Sequence, residues 1–513
     1  MLKNIGSNWA LNALQILVFM VLSPFVVRAL GQDVNGVWQS IVALAGPLQL
    51  LILGVPMASV RFITENLAKE DREGTNAAVS TCLAICVTMG AAALVMGTGL
   101  YFLFEHKYLA SDSWAGLTPQ TIADARIAFA VFVLTVTLGF AARLPYGIFE
   151  AHHDFVRRNL VVGGGFLLKL ALTLILLSQN ASLIRLAIVQ IACMLTEFCV
   201  ALWIVRRRYP DISFGLGAFD RSMVRRILSF SIFAMLLNVG AQLAFRTDAL
   251  VIGWFESPGQ VTIYDIGNKI FEPFTNLVLG IGMVVMPLAT ALHAKGQTAD
   301  LGAVFSKWTK ISFNLVLAIG LFLLVLGPEF LSWWFGEEYD PASGRLLQVL
   351  MASFLVFLPV RGVALPILMG LGQPGRPALG LLGMGLLNLG LSVALIGPHG
   401  LMGVALGTAI PNVLFAGFVF FTACRQLDVL PSHLLRYACA RTLVGALPAT
   451  LLLVLIKRSF PVEGFLQLFL AGVAFVAVFG LAQVLFVFKG DAHFDLHQLV
   501  MRRLKPATGE KNG

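Results

Sequence analysis

The chain has 513 residues, 58% of them hydrophobic and only 12% charged, and it carries a formal net charge of +9. Soluble domains have roughly 25% charged residues, so this composition, with a mean hydropathy of +0.85, excludes an ordinary soluble enzyme and indicates a multi-pass membrane protein. The basic residues are concentrated in alternate loops between apolar stretches. That distribution is typical of a topology signal and not of a nucleic-acid-binding surface.

Fourteen apolar stretches follow one another along the chain, each long enough to span a bilayer, which takes about 17–25 residues. They cover, approximately, residues 8–30, 36–64, 76–104, 123–149, 156–178, 182–205, 224–254, 259–292, 307–335, 345–371, 376–397, 400–424, 433–457 and 463–488. Most of the 36 lysines and arginines, Lys310 among them, fall in the loops and tails on one side of these spans. Because positive residues accumulate on the cytoplasmic side, the sequence predicts an all-α polytopic protein with both termini in the cytoplasm.

The first twelve spans are predicted to form two copies of one six-helix unit. A shift of 219 residues aligns the fourth and fifth spans with the tenth and eleventh, and a shift of 226 aligns the first hairpin with the seventh and eighth spans. The matched pairs include Arg157 with Arg376, Gly164 with Gly383, Asn12 with Asn238 and Pro47 with Pro273. Because six is an even number, both copies have the same orientation, as in transporters built from parallel repeats. The predicted domains are a first lobe (1–208), a second lobe (209–428), two extra helices (429–490) and a cytoplasmic tail (491–513).

Five cations lie inside apolar stretches. They are Arg143, Lys169, Arg246, Lys269 and Arg361. A charge at the bilayer centre costs roughly 2.5–3.5 kcal/mol on insertion scales, so each must face a partner or water inside the helix bundle. Four carboxylates lie at similar depth: Asp265, Glu272, Asp248 and Glu197. Simple ion pairing explains part of this set, but a small positive excess remains.

The positive excess predicts a binding site for an anionic substrate, because arginine and lysine are the usual partners of phosphate groups. The five cations are therefore the predicted substrate-binding residues. The four carboxylates are candidates for coupling transport to Na⁺ or H⁺. No cofactor or metal signature is present.

Polar residues also recur at helical spacing on three spans that the repeat makes equivalent. The eighth span carries Asp265, Asn268, Lys269, Glu272 and Asn276, the seventh carries Asn238, Gln242 and Arg246, and the first carries Asn8, Asn12 and Gln15. Each set is predicted to share one helix face. Since lipid cannot accept such faces, the pattern predicts a water-filled cavity between the lobes.

Several segments resemble the polysaccharide transporter family, whose Wzx-type flippases belong to the multidrug/oligosaccharidyl-lipid/polysaccharide flippase superfamily. The segments are RALGQDVNGVW (28–38), LGVPMASVRF (53–62), DALVIGWF (248–255), YDIGNK (264–269) and MPLATAL (286–292). The resemblance covers about residues 1–425. It implies two six-helix lobes around a cationic central cavity in the bacterial inner membrane. It also implies a flippase that exports polyprenyl-pyrophosphate-linked sugars, the precursors of O-antigen, other lipopolysaccharide, capsule or exopolysaccharide.

Two features depart from that family. Many O-antigen flippases have twelve spans, whereas fourteen are predicted here, as in lipid II flippases. The first hairpin does not resemble that of lipid II flippases, which disfavours a peptidoglycan precursor as the cargo. The expected partners are a lipid-linked anionic glycan, membrane lipid and polysaccharide-assembly proteins, with no nucleic acid.

The main alternative is a multidrug and toxin extrusion antiporter of the same superfamily. Its cationic cargo would require an acidic cavity, which the positive excess opposes. A membrane glycosyltransferase or polymerase is a further alternative, but it needs a sizeable catalytic segment outside the membrane. The longest outer segments, about 105–122 and 336–344, are short, so we expect a transporter and not an enzyme.

Overall fold

The computed structural model describes residues 2–52, 54–373 and 375–498, apart from the side chains of residues 2–5, 9, 229–238, 244–245 and 298–299. Nearly all of these residues lie in helices and none of them lies in a strand, which confirms the predicted all-α class. The helices form two compact units, Met1–Ile263 and Tyr264–Gly513. The lobe boundary at 208/209, inferred from the sequence repeat, stays a prediction.

Among the described residues, eleven helical segments are long and apolar enough to cross a membrane. Two of them, Gly6–Ala68 and Gly375–Gln426, are long enough for two spans each. They are interrupted by Gly31 (φ 75°) and Gly400 (φ 54°), conformations that glycine adopts without the steric penalty of a Cβ. The helix Arg221–Phe245, with 25 residues, is long enough for a further span. The fourteen helices predicted from the apolar stretches are thereby confirmed.

The first unit is built from nine helices within the described residues. They are α1 (Leu2–Ala45), α2 (Val55–Ala68), α3 (Arg72–Phe104), α4 (Pro119–Ala142), α5 (Leu144–Ala151), α6 (Phe155–Gln179), α7 (Leu183–Arg208), α8 (Arg221–Phe245) and α9 (Asp248–Phe255). A 3₁₀ helix, Gly46–Ile52, follows α1. The next helix, α10 (Pro258–Asn268), runs across the division between the units.

Helix α9 is hydrogen-bonded to other parts of the first unit, although the repeat places it in the second copy. Trp114 donates its indole N–H to the carbonyl of Gly253 (3.1 Å), and the hydroxyl of Tyr108 donates to the carbonyl of Leu250 (3.2 Å). A Cβ at Gly253 would lie only 2.9 Å from the Tyr108 ring, so glycine permits this close approach. Both aromatic side chains are almost completely buried, which makes these hydrogen bonds costly to break.

The connector between α7 and α8 lies along α3 and is bonded to it. Arg72 forms an ion pair with Asp211 (3.0 Å), and the side chain of Asn76 accepts from the Ser213 N–H (2.8 Å). At the start of the connector, the Tyr209 hydroxyl donates to the carboxylate of Asp154 (2.8 Å). Burial and this hydrogen bond raise the pKa of Tyr209 to about 12.

The second unit contains eight helices within the described residues. They are α11 (Phe271–Ala294), α12 (Thr298–Phe335), α13 (Pro341–Gly362), α14 (Ala364–Gly370), α15 (Gly375–Gln426), α16 (Pro431–Leu435), α17 (Arg441–Ser459) and α18 (Phe465–Ala482). Helices α17 and α18 pack against α12 and form an apolar core that includes Leu317, Leu453 and Phe475. This packing joins the two extra helices to the second unit.

Lys310 corrects one sequence interpretation. We assigned it to a basic cytoplasmic loop, but it lies inside α12 with 1% of its surface exposed. Its ammonium group donates to the carboxylate of Asp491 (2.5 Å) and to the carbonyl of Val487 (3.0 Å). The ring of Tyr437 lies 4.7 Å from the same nitrogen, and its hydroxyl donates to Asp491 (2.7 Å). A buried ionic network therefore holds the segment after α18 against α12.

The eighth span is broken where we predicted one continuous polar face. Helix α10 ends at Asn268 and α11 begins at Phe271. Pro273 has no N–H to donate to the carbonyl of Lys269, so the regular hydrogen-bond ladder is lost at this point. The polar stripe is consequently divided between two helices. Of the seventh-span stripe, the side chain of Asn238 lies outside the described residues.

Candidate functional site

A break in the fourth span positions Arg143. Helix α4 ends at Ala142 and α5 begins at Leu144, and Pro145 cannot donate the hydrogen bond that would continue one helix into the other. The guanidinium of Arg143 donates from Nη2 to the side-chain oxygen of Gln49 (3.1 Å). Gln49 belongs to the 3₁₀ helix after α1. Two interrupted helices therefore bring a cation and an amide together at membrane depth.

Lys169 on α6 and Glu197 on α7 lie on the same side of the unit as Arg143. The Oε2 atom of Glu197 accepts a hydrogen bond from the Tyr146 hydroxyl (3.0 Å). A Cβ at Gly165 would lie 1.9 Å from the other carboxylate oxygen of Glu197, which is impossibly close. The carboxylate therefore lies directly against the α6 backbone, one helical turn before Lys169.

These side chains line one cavity of about 330 Å³ in the first unit. This volume falls in the range of small-molecule sites, roughly 300–1,000 Å³. The lining includes Gln49, Arg143, Tyr146, Gly165, Phe166, Lys169, Gln190, Cys193, Met194 and Glu197. Two cations and one carboxylate give the cavity a formal excess of one positive charge. Guanidinium, ammonium and amide N–H donors converge there, as the binding of an anion requires.

The cavity brings together three of the nine predicted site residues: Arg143, Lys169 and Glu197. The other six are not among its lining residues. In the first unit, Arg246 is exposed at the bend between α8 and α9, and Asp248 is buried at the start of α9. In the second unit, Lys269 and Asp265 form an ion pair (2.6 Å).

Arg361 and Glu272 complete the set. Glu272 lies exposed in the first turn of α11. Arg361 lies at the end of α13, with its guanidinium 5.6 Å from the centre of the Phe357 ring. The break between α13 and α14 follows it directly, and Pro366 is placed where it cannot bond to the carbonyl of Gly362. The 219-residue shift places Arg143 within one residue of Arg361, so both repeats carry an arginine at an equivalent helix break.

Sequence reasoning missed the residues that position the charges. Gln49, Tyr146, Gly165 and Gln190 were not predicted to belong to the site. A signal for Tyr146 was present, because it lies one turn after Arg143 beside a proline. No sequence signal links Gly165 to Glu197, since their contact depends on how α6 and α7 pack.

Replacing Gly165 by alanine is expected to impair transport strongly, because the new Cβ displaces the Glu197 carboxylate. The neighbouring Gly164 provides a matched control, since a Cβ there meets nothing within 4 Å. Export by the two variants should be compared at equal protein levels in the membrane. Equal export by both would show that the position of Glu197 against α6 is unimportant.

Comparisons with known proteins agree with this fold. A model of the family described as polysaccharide biosynthesis protein matches residues 1–293, and a model of the lipid II flippase MurJ matches residues 166–475. The uncharacterized membrane protein EpsK of Bacillus subtilis is 21% identical over 423 residues, which are 80% of each chain. The probable low-salt glycan biosynthesis flippase Agl15 of Haloferax volcanii is 24% identical over 291 residues, 55% of this chain and 58% of that protein.

Two solved structures are similar over most of the chain. An inward-facing multidrug resistance MATE family transporter of the MOP superfamily has a TM-score of 0.69 and 17% identity, covering 81% of this chain and 94% of its own. The lipid II flippase MurJ in an inward closed conformation has a TM-score of 0.68 and 13% identity, covering 94% and 98%. At these identities the likeness shows the fold alone. Because each family model matches more than half of the residues, the chain belongs to the polysaccharide biosynthesis protein family and is a membrane flippase of the polysaccharide or lipid II type.

Proposed function

We propose that the protein moves a polyprenyl-pyrophosphate-linked oligosaccharide across the bacterial inner membrane by alternating access through a cationic cavity. The cargo would be a precursor of O-antigen, capsule or another exported polysaccharide. The observation that carries this proposal is the cavity in which Arg143 and Lys169 outnumber Glu197.

The charge of the cavity favours a phosphate-bearing ligand. An excess charge at membrane depth is costly unless a counter-charge accompanies it, and a pyrophosphate supplies that counter-charge. Arginine presents a planar fork that suits phosphate oxygens, while lysine adds a compact point charge. The remaining intramembrane cations Arg246, Lys269 and Arg361 are proposed to contact the anion at other stages of its passage.

Energy coupling is proposed to involve a carboxylate at membrane depth. The candidates are Asp265, Glu272, Asp248 and Glu197, with Na⁺ or H⁺ as the coupling ion. The distribution of basic loops supports both termini in the cytoplasm. Polysaccharide-assembly proteins are the proposed partners, because the translocated glycan must be handed to enzymes that polymerise or attach it.

A multidrug extrusion antiporter is the competing function, and the MATE structure shows that its fold fits this chain. The cavity opposes it, because two cations facing a cationic drug would repel it. A positive cavity therefore favours the glycan lipid over the drug.

Reconstituted transport tests the proposal. Purified protein in proteoliposomes would be given three cargoes: a polyprenyl-pyrophosphate-linked oligosaccharide, the same glycan on a neutral polyprenyl lipid, and ethidium as a cationic drug. We expect translocation of the first cargo only, measured by the accessibility of the sugar to an added glycosidase. If the protein transports ethidium but does not translocate the pyrophosphate lipid, the result supports the antiporter instead.

A further inference from the structure

We infer that Glu197 is a built-in counterion that offsets part of the positive charge of the anion site between transport cycles, and that the arriving pyrophosphate competes with it for Lys169. Tyr146 and Gly165 are the positioning residues that keep its carboxylate inside the cavity. This inference rests on the proposed function and adds a role for the one acidic residue among the cavity's lining side chains.

The contacts of Glu197 show how its carboxylate is held beside the anion site. One carboxylate oxygen accepts the Tyr146 hydroxyl (3.0 Å), and the other lies against Gly165 in space that any larger residue would fill. Lys169 lies one helical turn after Gly165 and lines the same cavity, so the cation and the carboxylate border one space. When a ligand takes Lys169, the hydroxyl of Tyr146 still supplies a hydrogen bond, so the carboxylate is not left without a partner.

The two cations of the cavity differ in their neighbours. Arg143 donates to the neutral amide oxygen of Gln49 (3.1 Å), which orients the guanidinium without cancelling its charge. Lys169, in contrast, shares the cavity with a carboxylate that lies against α6 one helical turn before it. An incoming anion therefore meets one cation oriented by a neutral amide and one for which it competes with a neighbouring carboxylate.

Competition from Glu197 lowers the affinity of the site for its ligand, and a transporter needs such a limit. A site must bind its ligand strongly enough to load and weakly enough to release it. When the ligand leaves, Glu197 again offsets part of the positive charge of the cavity and lowers the cost of the empty site at membrane depth. Removing the carboxylate should tighten binding and slow release.

Binding and turnover together provide the test. Wild-type protein and variants in lipid nanodiscs would be titrated with undecaprenyl pyrophosphate, and turnover would be measured in proteoliposomes. Glu197→Gln is expected to lower Kd by roughly tenfold, equivalent to about 1.4 kcal/mol, while turnover falls. Tyr146→Phe, which retains the ring but not the hydroxyl, should also reduce turnover. Glu73→Gln, at an exposed glutamate in the first turn of α3, is the control and should change neither quantity.

The outcomes separate the two proposals. If Arg143→Gln and Lys169→Gln weaken binding but Glu197→Gln leaves Kd unchanged or raises it, the counterion role is wrong and the anion site stands. If wild-type protein does not bind the pyrophosphate lipid at all, both proposals are wrong. Tyr146→Phe provides the second variant where Glu197→Gln does not reach the membrane, and unchanged turnover in it contradicts the positioning role.

Discussion

Replacing Arg143 and Lys169 together by glutamine is expected to abolish the glycan export that the wild-type protein restores to a strain lacking its own flippase. Hydrogen bonds to charged groups contribute roughly 1.5–3 kcal/mol each, so losing two cations should weaken anion binding by a factor of about 10²–10⁴. The single variants should each retain partial export. Export would be measured as surface glycan per cell at matched membrane levels of protein.

A charge-matched control separates this effect from a general loss of positive charge. Lys107→Gln combined with Arg458→Gln removes two exposed cations that do not line the cavity, and export should remain near the wild-type level. Wild-type export by the Arg143 and Lys169 double variant would show that the cavity does not hold the anion.

Replacing Lys310 by methionine is expected to lower the free energy of unfolding strongly. The ammonium and the Asp491 carboxylate are each only 2% exposed, and removing one partner of a buried pair typically costs about 3–5 kcal/mol because the other charge is left uncompensated. Lys307→Met, three residues earlier on α12, is the matched control, since Lys307 is only half-buried and its nitrogen lies 4.9 Å from the centre of the Phe494 ring. Thermal unfolding of the detergent-solubilised protein would measure the difference.

A second substitution makes this prediction specific. Adding Asp491→Asn to the Lys310→Met variant removes the uncompensated charge and should recover part of the lost stability. Although burial opposes ionisation of Asp491, hydrogen bonds from Lys310 and Tyr437 outweigh it and lower its pKa. The network therefore stabilises the protein above the unfolded pKa of an aspartate, about 3.9, and this contribution is lost as the pH falls below that value. Equal thermal stability of Lys310→Met and Lys307→Met would contradict the account.

The helices were predictable from sequence, because a bilayer demands about 20 apolar residues per span and each stretch satisfies that length independently of its neighbours. Pairings between distant residues were not predictable in the same way. Lys310 was assigned to a loop because it lies near the end of a span, and its partner Asp491 is 181 residues away. The connector along α3 is a similar case, since its bonds to Arg72 and Asn76 depend on tertiary packing.

Three residues of the cavity were predictable from the sequence, but the packing that brings them together was not. The depth of Arg143, Lys169 and Glu197 in apolar stretches marked them as unusual, which is a property of each residue alone. Their convergence depends on the packing of α4, α6 and α7 and on the absence of a Cβ at Gly165. The eighth-span stripe failed for a local reason, because Pro273 ends the regular ladder that would have placed its members on one face.

The central claim is that the pyrophosphate of the cargo enters the cavity of the first unit, and photocrosslinking tests it most directly. A photoreactive phenylalanine analogue would replace Met194, which lines the cavity, or Leu160, which lies on α6 with 70% of its surface exposed. With a labelled polyprenyl-pyrophosphate-linked oligosaccharide, we expect an adduct at position 194 that is lost in the Arg143 and Lys169 double variant and is competed by inorganic pyrophosphate. An adduct of equal yield at position 160, or one that persists in the double variant, would contradict the claim.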